Sequence, residues 1–369
     1  MLTSGWYLHQ RAKVKGRYPG AHSNLYKYAT ELAYRHLRAG GDAGLVLDGG
    51  LWSDLAANGL RRMLLDACTV SAVCGFTNNA GLFPDIHRSY KFTATVFRKG
   101  QETEEMPAIF MQHTFSDLGH FDSRAVSLPA QEIREDPRDS YPVPEIRSAD
   151  HWRAQHALTS PPSLCDPRWD MEVYSRELNA GEQRHFFMLR KSKTSIPLIQ
   201  GTNYNHFGVH QGDLPEFWVS LRDKGVGGFL RKKQEGRILT AIADYISDCG
   251  GSLKGSKRDS ALAWIRQRTG KSKLPSNWVR LDLEGHRLSW RDVCRNDDKR
   301  TLICCLLPPN VAVTHVAPYI RPFKLTVCNE GVSYSERYSA PCLLYLTGCL
   351  SSFVCDSIAR SRLSKNAPH

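Results

Sequence analysis

The chain has 369 residues, 41% hydrophobic and 23% charged. That suffices for about two domains and excludes a wholly disordered polymer. No apolar run approaches the ~18 residues of a membrane span. Met1 to Trp6 shows neither the charged start nor the apolar stretch of a secretory leader, so a cytoplasmic protein is expected.

In chain order, Leu25, Tyr28, Leu32 and Ala33 recur at helical spacing between Ser23, a plausible N-cap, and the stop at Gly40-Gly41. The short apolar run Ala43 to Leu47 predicts a buried strand. A turn at Asp48-Gly49-Gly50 leads to a helix capped by Ser53, with Leu55, Leu60, Met63 and Leu64 inside. Strands follow at Val70–Phe76 and, by alternation, through Phe92, Ala94 and Val96, with a loop at Phe83-Pro84 between them. Residues 101–190 show little periodicity and carry Tyr141-Pro142-Val143-Pro144 and Ser160-Pro161-Pro162-Ser163, so they read as a linker or insertion. Helices are expected near 231–248 and 257–269. A last one begins after Ser339 and Pro341, with Leu343, Leu346, Leu350, Phe353, Val354 and Ile358 inside. The fold class is α/β, organised as 1–100, 101–190 and 191–369.

Eleven cysteines form no Cys-x-x-Cys pair, and those of Leu302-Ile303-Cys304-Cys305-Leu306-Leu307 read as small hydrophobes of a reduced core. His206 and His210 have metal-like spacing, but no carboxylate or thiol completes a site, and no metal is expected. Neither a phosphate-binding loop of the Gly-x-x-x-x-Gly-Lys-Ser/Thr kind nor a Gly-x-Ser-x-Gly turn occurs.

Charge is more informative. The net is +12, and residues 221–273 hold 13 bases against five acids, while 101–150 hold four bases against 11 acids. A concentrated positive field attracts phosphate, although a solvated basic surface would look the same. Candidate DNA-binding residues are Lys191, Lys193, Asn203, Asn205, Arg231, Lys232, Lys233, Lys254, Lys257, Arg258, Lys271 and Lys273. Asn suits adenine and Lys or Arg suits guanine, yet contact with phosphate is the commoner role. Tyr204 and Phe207 could stack on bases or pack in the core, and Trp52 could border a base pocket or simply pack.

Three stretches in order resemble the large adenine-N6 DNA methyltransferases of fused restriction–modification systems, the type IIG and related phage-defence methylases. The first runs from Ser23-Asn24-Leu25-Tyr26 through Gly40-Gly41 and Leu45-Val46-Leu47 to Leu60-Arg61-Arg62-Met63-Leu64, continuing with Leu82-Phe83-Pro84 and Tyr90–Phe97. The second is Pro197-Leu198-Ile199-Gln200-Gly201-Thr202-Asn203-Tyr204, where Gln200 and Thr202 replace the family's usual glutamate and lysine. The third is Arg287-Leu288-Ser289-Trp290-Arg291-Asp292, with Leu307-Pro308-Pro309-Asn310 following.

The resemblance implies the second half of a Rossmann-like methyltransferase sheet joined to a DNA target-recognition domain, with double-stranded DNA as partner and S-adenosylmethionine as methyl donor. The family's chemistry uses a glycine turn for the cofactor and an Asn-Pro-Pro-aromatic loop for a flipped adenine. Neither motif occurs, since no aromatic follows either double proline, and Asp223-Lys224-Gly225-Val226-Gly227-Gly228 reads as a loop. The strand at 43–47 is then expected beside a missing strand, supplied by a separately encoded N-terminal partner unless the gene is a remnant. The rival readings are a non-enzymatic DNA-binding specificity or scaffold protein, and an unrelated cytosolic enzyme.

Overall fold

A computed structural model describes residues 6–10, 12–14, 16, 18, 24–136, 139–159, 166–209, 215–252, 255–292 and 299–360. The chain divides into two units, one of 1–166 with 294–301 and 356–369, the other of 167–293 with 302–355. The architecture is mixed α/β, as expected.

In the first unit, α1 (Leu25–His36) precedes β1 (Asp42–Asp48), α2 (Gly50–Ser53), α3 (Asn58–Ala67), β2 (Cys68–Thr77), β3 (Lys91–Lys99), β4 (Glu105–Gln112) and β5 (Val126–Pro129). The strands form one sheet in the order β1-β3-β2-β4-β5, antiparallel except for the β2–β4 pair. Leu60, Met63, Leu64, Val70, Phe97, Met106 and Leu128 fill its core. Short helices α4 (Phe121–Arg124) and α5 (Ala130–Arg134) and the longer α6 (Ala149–Thr159) complete the unit.

Three expectations change here. The segment 101–190 is not a linker: β4 and β5 complete the sheet, and Ile133, Val143, Ile146 and Trp152 enter the core. Its acids and prolines hid two short strands, one of them carrying Pro107. Strand β1 is an edge strand with alternating burial, and Val46 is 60% exposed. Helix α1 is turned the other way from its apolar stripe. Leu25 and Leu32 face solvent, while Lys27, Thr30 and Glu31 are buried and only Tyr26, Ala33 and Tyr34 pack against the core. The Glu31 carboxylate explains the rotation, because it accepts from the Leu8 and His9 N–H groups and the Gln10 amide at 2.5, 3.0 and 2.7 Å. Ser23 lies outside the described residues, and Ser53 ends α2 rather than capping α3.

The second unit contains β6 (Val173–Tyr174), β7 (Ser195–Ile199), β8 (Tyr204–Asn205), β9 (Gly208–Val209), β10 (Phe217–Ser220), α7 (Val226–Asp248), α8 (Lys257–Thr269), β11 (Arg287–Trp290), β12 (Cys304–Leu307), β13 (Ala312–Val313), β14 (Tyr319–Ile320), β15 (Phe323–Cys328), β16 (Gly331–Glu336) and α9 (Ala340–Leu350). Two small sheets run β10-β7-β13 and β12-β11-β14-β6, with hairpins β8–β9 and β15–β16 beside them. Helix α7 begins five residues before its expected start because Val226 and Leu230 already pack against Leu198, Phe217 and Val219. Helix α8 has the expected bounds, set by a capping box between Ser256 and Asp259 and by Gly270 at φ +71°.

The terminal helix is two pieces, α9 and α10 (Phe353–Arg360), and Phe353 is 79% exposed rather than inside. Cys68, Cys74, Cys304 and Cys305 are buried as expected, whereas Cys249 and Cys349 are exposed. Among the described residues no single helix is long and apolar enough to cross a membrane.

Candidate nucleic-acid interface

The second unit presents its cations from three elements. Helix α7 is about 34 Å long at 1.5 Å per residue. Its buried face repeats Leu230, Gln234, Ile238 and Ile242, while Arg231 and Lys232 of its second turn are exposed. Neither makes an ion pair among the described residues. Lys233, its sequence neighbour, is also exposed but is tied to its own chain: its ammonium donates to the Arg176 and Glu177 carbonyls at 2.7 and 3.2 Å and lies 4.8 Å from the Phe229 ring centroid. Partial burial pushes that ammonium down from its ordinary value, with Glu177 opposing the shift.

Lys191 and Lys193 are exposed on the loop before β7. Lys191 sits 5.2 Å from the Trp218 ring centroid, and the loop is pinned to the end of β10 because the Leu221 N–H donates to the Thr194 carbonyl. That bond brings the exposed Arg222 and Lys224, which the sequence reading left out, beside the expected pair. Arg184 adds a further exposed cation 4.0 Å from the Phe217 ring. The signal for all three was present as basic letters, but only strand pairing put them together.

On α8 and the turn after it, Arg258, Lys271 and Lys273 are exposed, whereas Lys257 is paired with Asp244 at 2.8 Å. Lys254 and His210 lie outside the described residues. The asparagines divide as well. Asn203 turns inward as a cap, its carbonyl oxygen accepting from the Gln200 N–H at 2.8 Å, and Asn205 is exposed on β8. Tyr204 is 3% exposed and hydrogen-bonds Ser289 at 2.6 Å, so its fate is packing; Phe207 is 67% exposed. In the first unit Trp52 packs at 1% exposure with its indole N–H on Thr95.

Beneath this surface runs a buried charge network. Arg287 pairs with Glu177 at 2.5 Å, and the same carboxylate accepts from the Val313 N–H at 3.2 Å. Burial pushes the Glu177 carboxyl up and Arg287 pulls it back. The half-exposed Glu172 collects Arg237, Arg321 and Arg337 at 2.8, 3.0 and 2.9 Å, and Arg321 also pairs with Asp282. These cations are therefore structural and contribute little free charge to the surface.

The glycine run at 225–228 does not offer a cofactor cradle. The glycines at 225–228 open α7 and are packed against their own chain: a Cβ at Gly227 would meet the Leu221 carbonyl oxygen at 2.0 Å, and one at Gly228 the Asp223 carbonyl oxygen at 1.9 Å. Gly227 and Gly228 thus belong to the first turn of α7, not to the loop expected there, and lie against the carbonyls of the residues before it. Among the described residues no cluster of His, Cys, Asp or Glu could hold a metal ion.

No family model matches the chain, and no curated protein matches it. Solved structures give slight likenesses. The type IIG restriction endonuclease BpuSI matches with a TM-score of 0.32 and 12% identity over 96% of this chain and 42% of its own. The type IIL restriction-modification enzyme MmeI in complex with DNA gives 0.38 and 9% over 80% and 35%. A nuclease-deletion mutant of the type ISP restriction-modification enzyme LlaGI with a DNA substrate mimic gives 0.36 and 10% over 93% and 34%. The chain thus spans under half the length of each of these structures.

Proposed function

We propose that this chain is the DNA-recognition part of a site-specific adenine-N6 DNA methyltransferase of restriction–modification or phage-defence type. The observation that carries the DNA reading is the exposed basic surface of the second unit, where Lys193, Arg222, Lys224, Arg231, Lys232 and Arg258 stand clear of ion pairs among the described residues. The adenine-N6 chemistry comes from the three resembling stretches. S-adenosylmethionine and the flipped base are then held by residues other than these, since the sequence has no Asn-Pro-Pro-aromatic loop and its glycine run is packed against its own chain. The edge of β1, which pairs with no further strand among the described residues, the exposed Val46 and Val96 near it, and the outward Leu25 and Leu32 of α1 support a catalytic part docking on the first unit.

The test is a salt series on duplex DNA with the full chain, alongside a labelled-donor assay. Binding should weaken linearly in log salt, and no label should reach DNA from the chain alone. Methylation by the unaccompanied chain, or failure to bind any duplex at low salt, would refute the proposal. The filled glycine turn equally suits a non-enzymatic specificity or scaffold protein. The two separate on whether adding the product of a neighbouring gene with an Asn-Pro-Pro-aromatic loop yields methylated adenine.

A further inference from the structure

Strands β8 and β9 pair Asn205 with Gly208, leaving His206 and Phe207 as a two-residue turn. Phe207 occupies the left-handed region at φ +68° with its side chain in solvent, 67% exposed. A bulky residue is strained there, and glycine is the ordinary choice. The other aromatic residue at positive φ among the described residues, Tyr141, has its ring covered by Arg62 at 4.4 Å. Among the described residues, the one ring contact of Phe207 is with His206, centroids 6.1 Å apart and tilted. Among the described residues no aromatic or cationic group besides His206 covers this strained, 67% exposed ring.

Its mount is firm. The Phe207 N–H donates to the Cys304 carbonyl at 3.2 Å, and Tyr204, at the other end of β8, roots the hairpin through its hydroxyl on Ser289. Cys304 pairs with Trp290 in register, and next to them the Arg291 N–H donates to Ile303. The tip therefore carries an apolar blade, with the exposed Asn205 on the same hairpin and Arg291 beside its anchor.

We infer that Phe207 is an aromatic wedge that enters the base stack of DNA bound by the second unit. The inference rests on the DNA-binding reading above. An apolar ring on a rigid tip can separate a base step, replacing base–base with base–phenyl stacking, and the cost is least where a base is mismatched.

The full chain, F207G and F207W are compared on a mixed-sequence duplex and on the same duplex with one central mismatch, by fluorescence anisotropy across a salt series. Wild type should prefer the mismatched duplex. F207G should bind about tenfold more weakly, lose the preference and keep the slope of log affinity against log salt, because no phosphate contact is removed. It should unfold at the same temperature or a few degrees higher, since glycine relieves the strain. F207W should bind like wild type. Equal binding of both duplexes by wild type and F207G, or a loss accompanied by a changed slope, overturns the wedge. If wild type binds neither duplex, the DNA reading falls and the wedge with it, an outcome distinct from the first because there the wild-type chain still binds.

Discussion

Arg287 and Glu177 meet at 2.5 Å with their side chains 0% and 3% exposed, across 110 positions of sequence. Arg287 stands on β11 and also donates to the Val311 carbonyl, while Glu177 accepts from Val313 on β13. One ion pair thus ties together the two sheets of the second unit and the segment before them. Glu177→Ala would leave a guanidinium buried without its partner and should cost about 3–5 kcal/mol. The double variant Glu177→Leu with Arg287→Met should recover most of that. Urea unfolding of the three proteins checks both expectations, and a single variant as stable as wild type would contradict this account of the pair.

Neighbouring residues on α7 should behave oppositely. Arg231→Ala and Lys232→Ala should weaken binding on every duplex and each lower the salt slope by about 1, with stability within ~0.5 kcal/mol of wild type. Lys233→Ala should leave the slope near its wild-type value and lower the melting temperature, because its ammonium serves two carbonyls of its own chain.

Helix α8 carries Lys257 and Arg258 directly behind its cap, so the cap sets where they stand. Ser256→Ala should destabilise the unit by ~1 kcal/mol. The Ser256 hydroxyl and N–H donate to the Asp259 carboxylate at 2.6 and 3.2 Å and hold its carboxyl below the ordinary range. A depressed folded value means that this contribution is complete above the unfolded value near pH 4 and is lost as pH falls through the folded one. A melting-temperature profile from pH 6 downward should therefore drop less steeply in Ser256→Ala than in wild type.

On the first unit, Glu31→Ala removes the acceptor for two backbone N–H groups and one side-chain amide and should cost about 1–3 kcal/mol. Leu32→Lys, one residue along, should be nearly neutral in stability because the leucine is 45% exposed. If a catalytic polypeptide docks on this unit, Leu32→Lys and Val46→Lys should weaken co-purification with it while leaving duplex binding by the chain unchanged. Pull-down and anisotropy on the same preparations read the two effects separately.

The bounds of α8 and the strands around Val70–Phe76 and Phe92–Phe97 were legible in the sequence, because caps and alternation act over a few residues and need no distant partner. The basic block of 221–273 and the α/β class were legible for the same reason. Which cations are tied to their own chain was not. Lys232 and Lys233 are adjacent letters and both exposed, and only the carbonyls of Arg176 and Glu177, more than 50 residues away, engage one of them. The rotation of α1 away from its leucines was set by Glu31 and the backbone it serves, a long-range bond that outweighs the apolar stripe. Phe207 and Tyr204 looked alike in the sequence. Tertiary structure separated them, because a tight turn leaves one ring outside and turns the other onto Ser289.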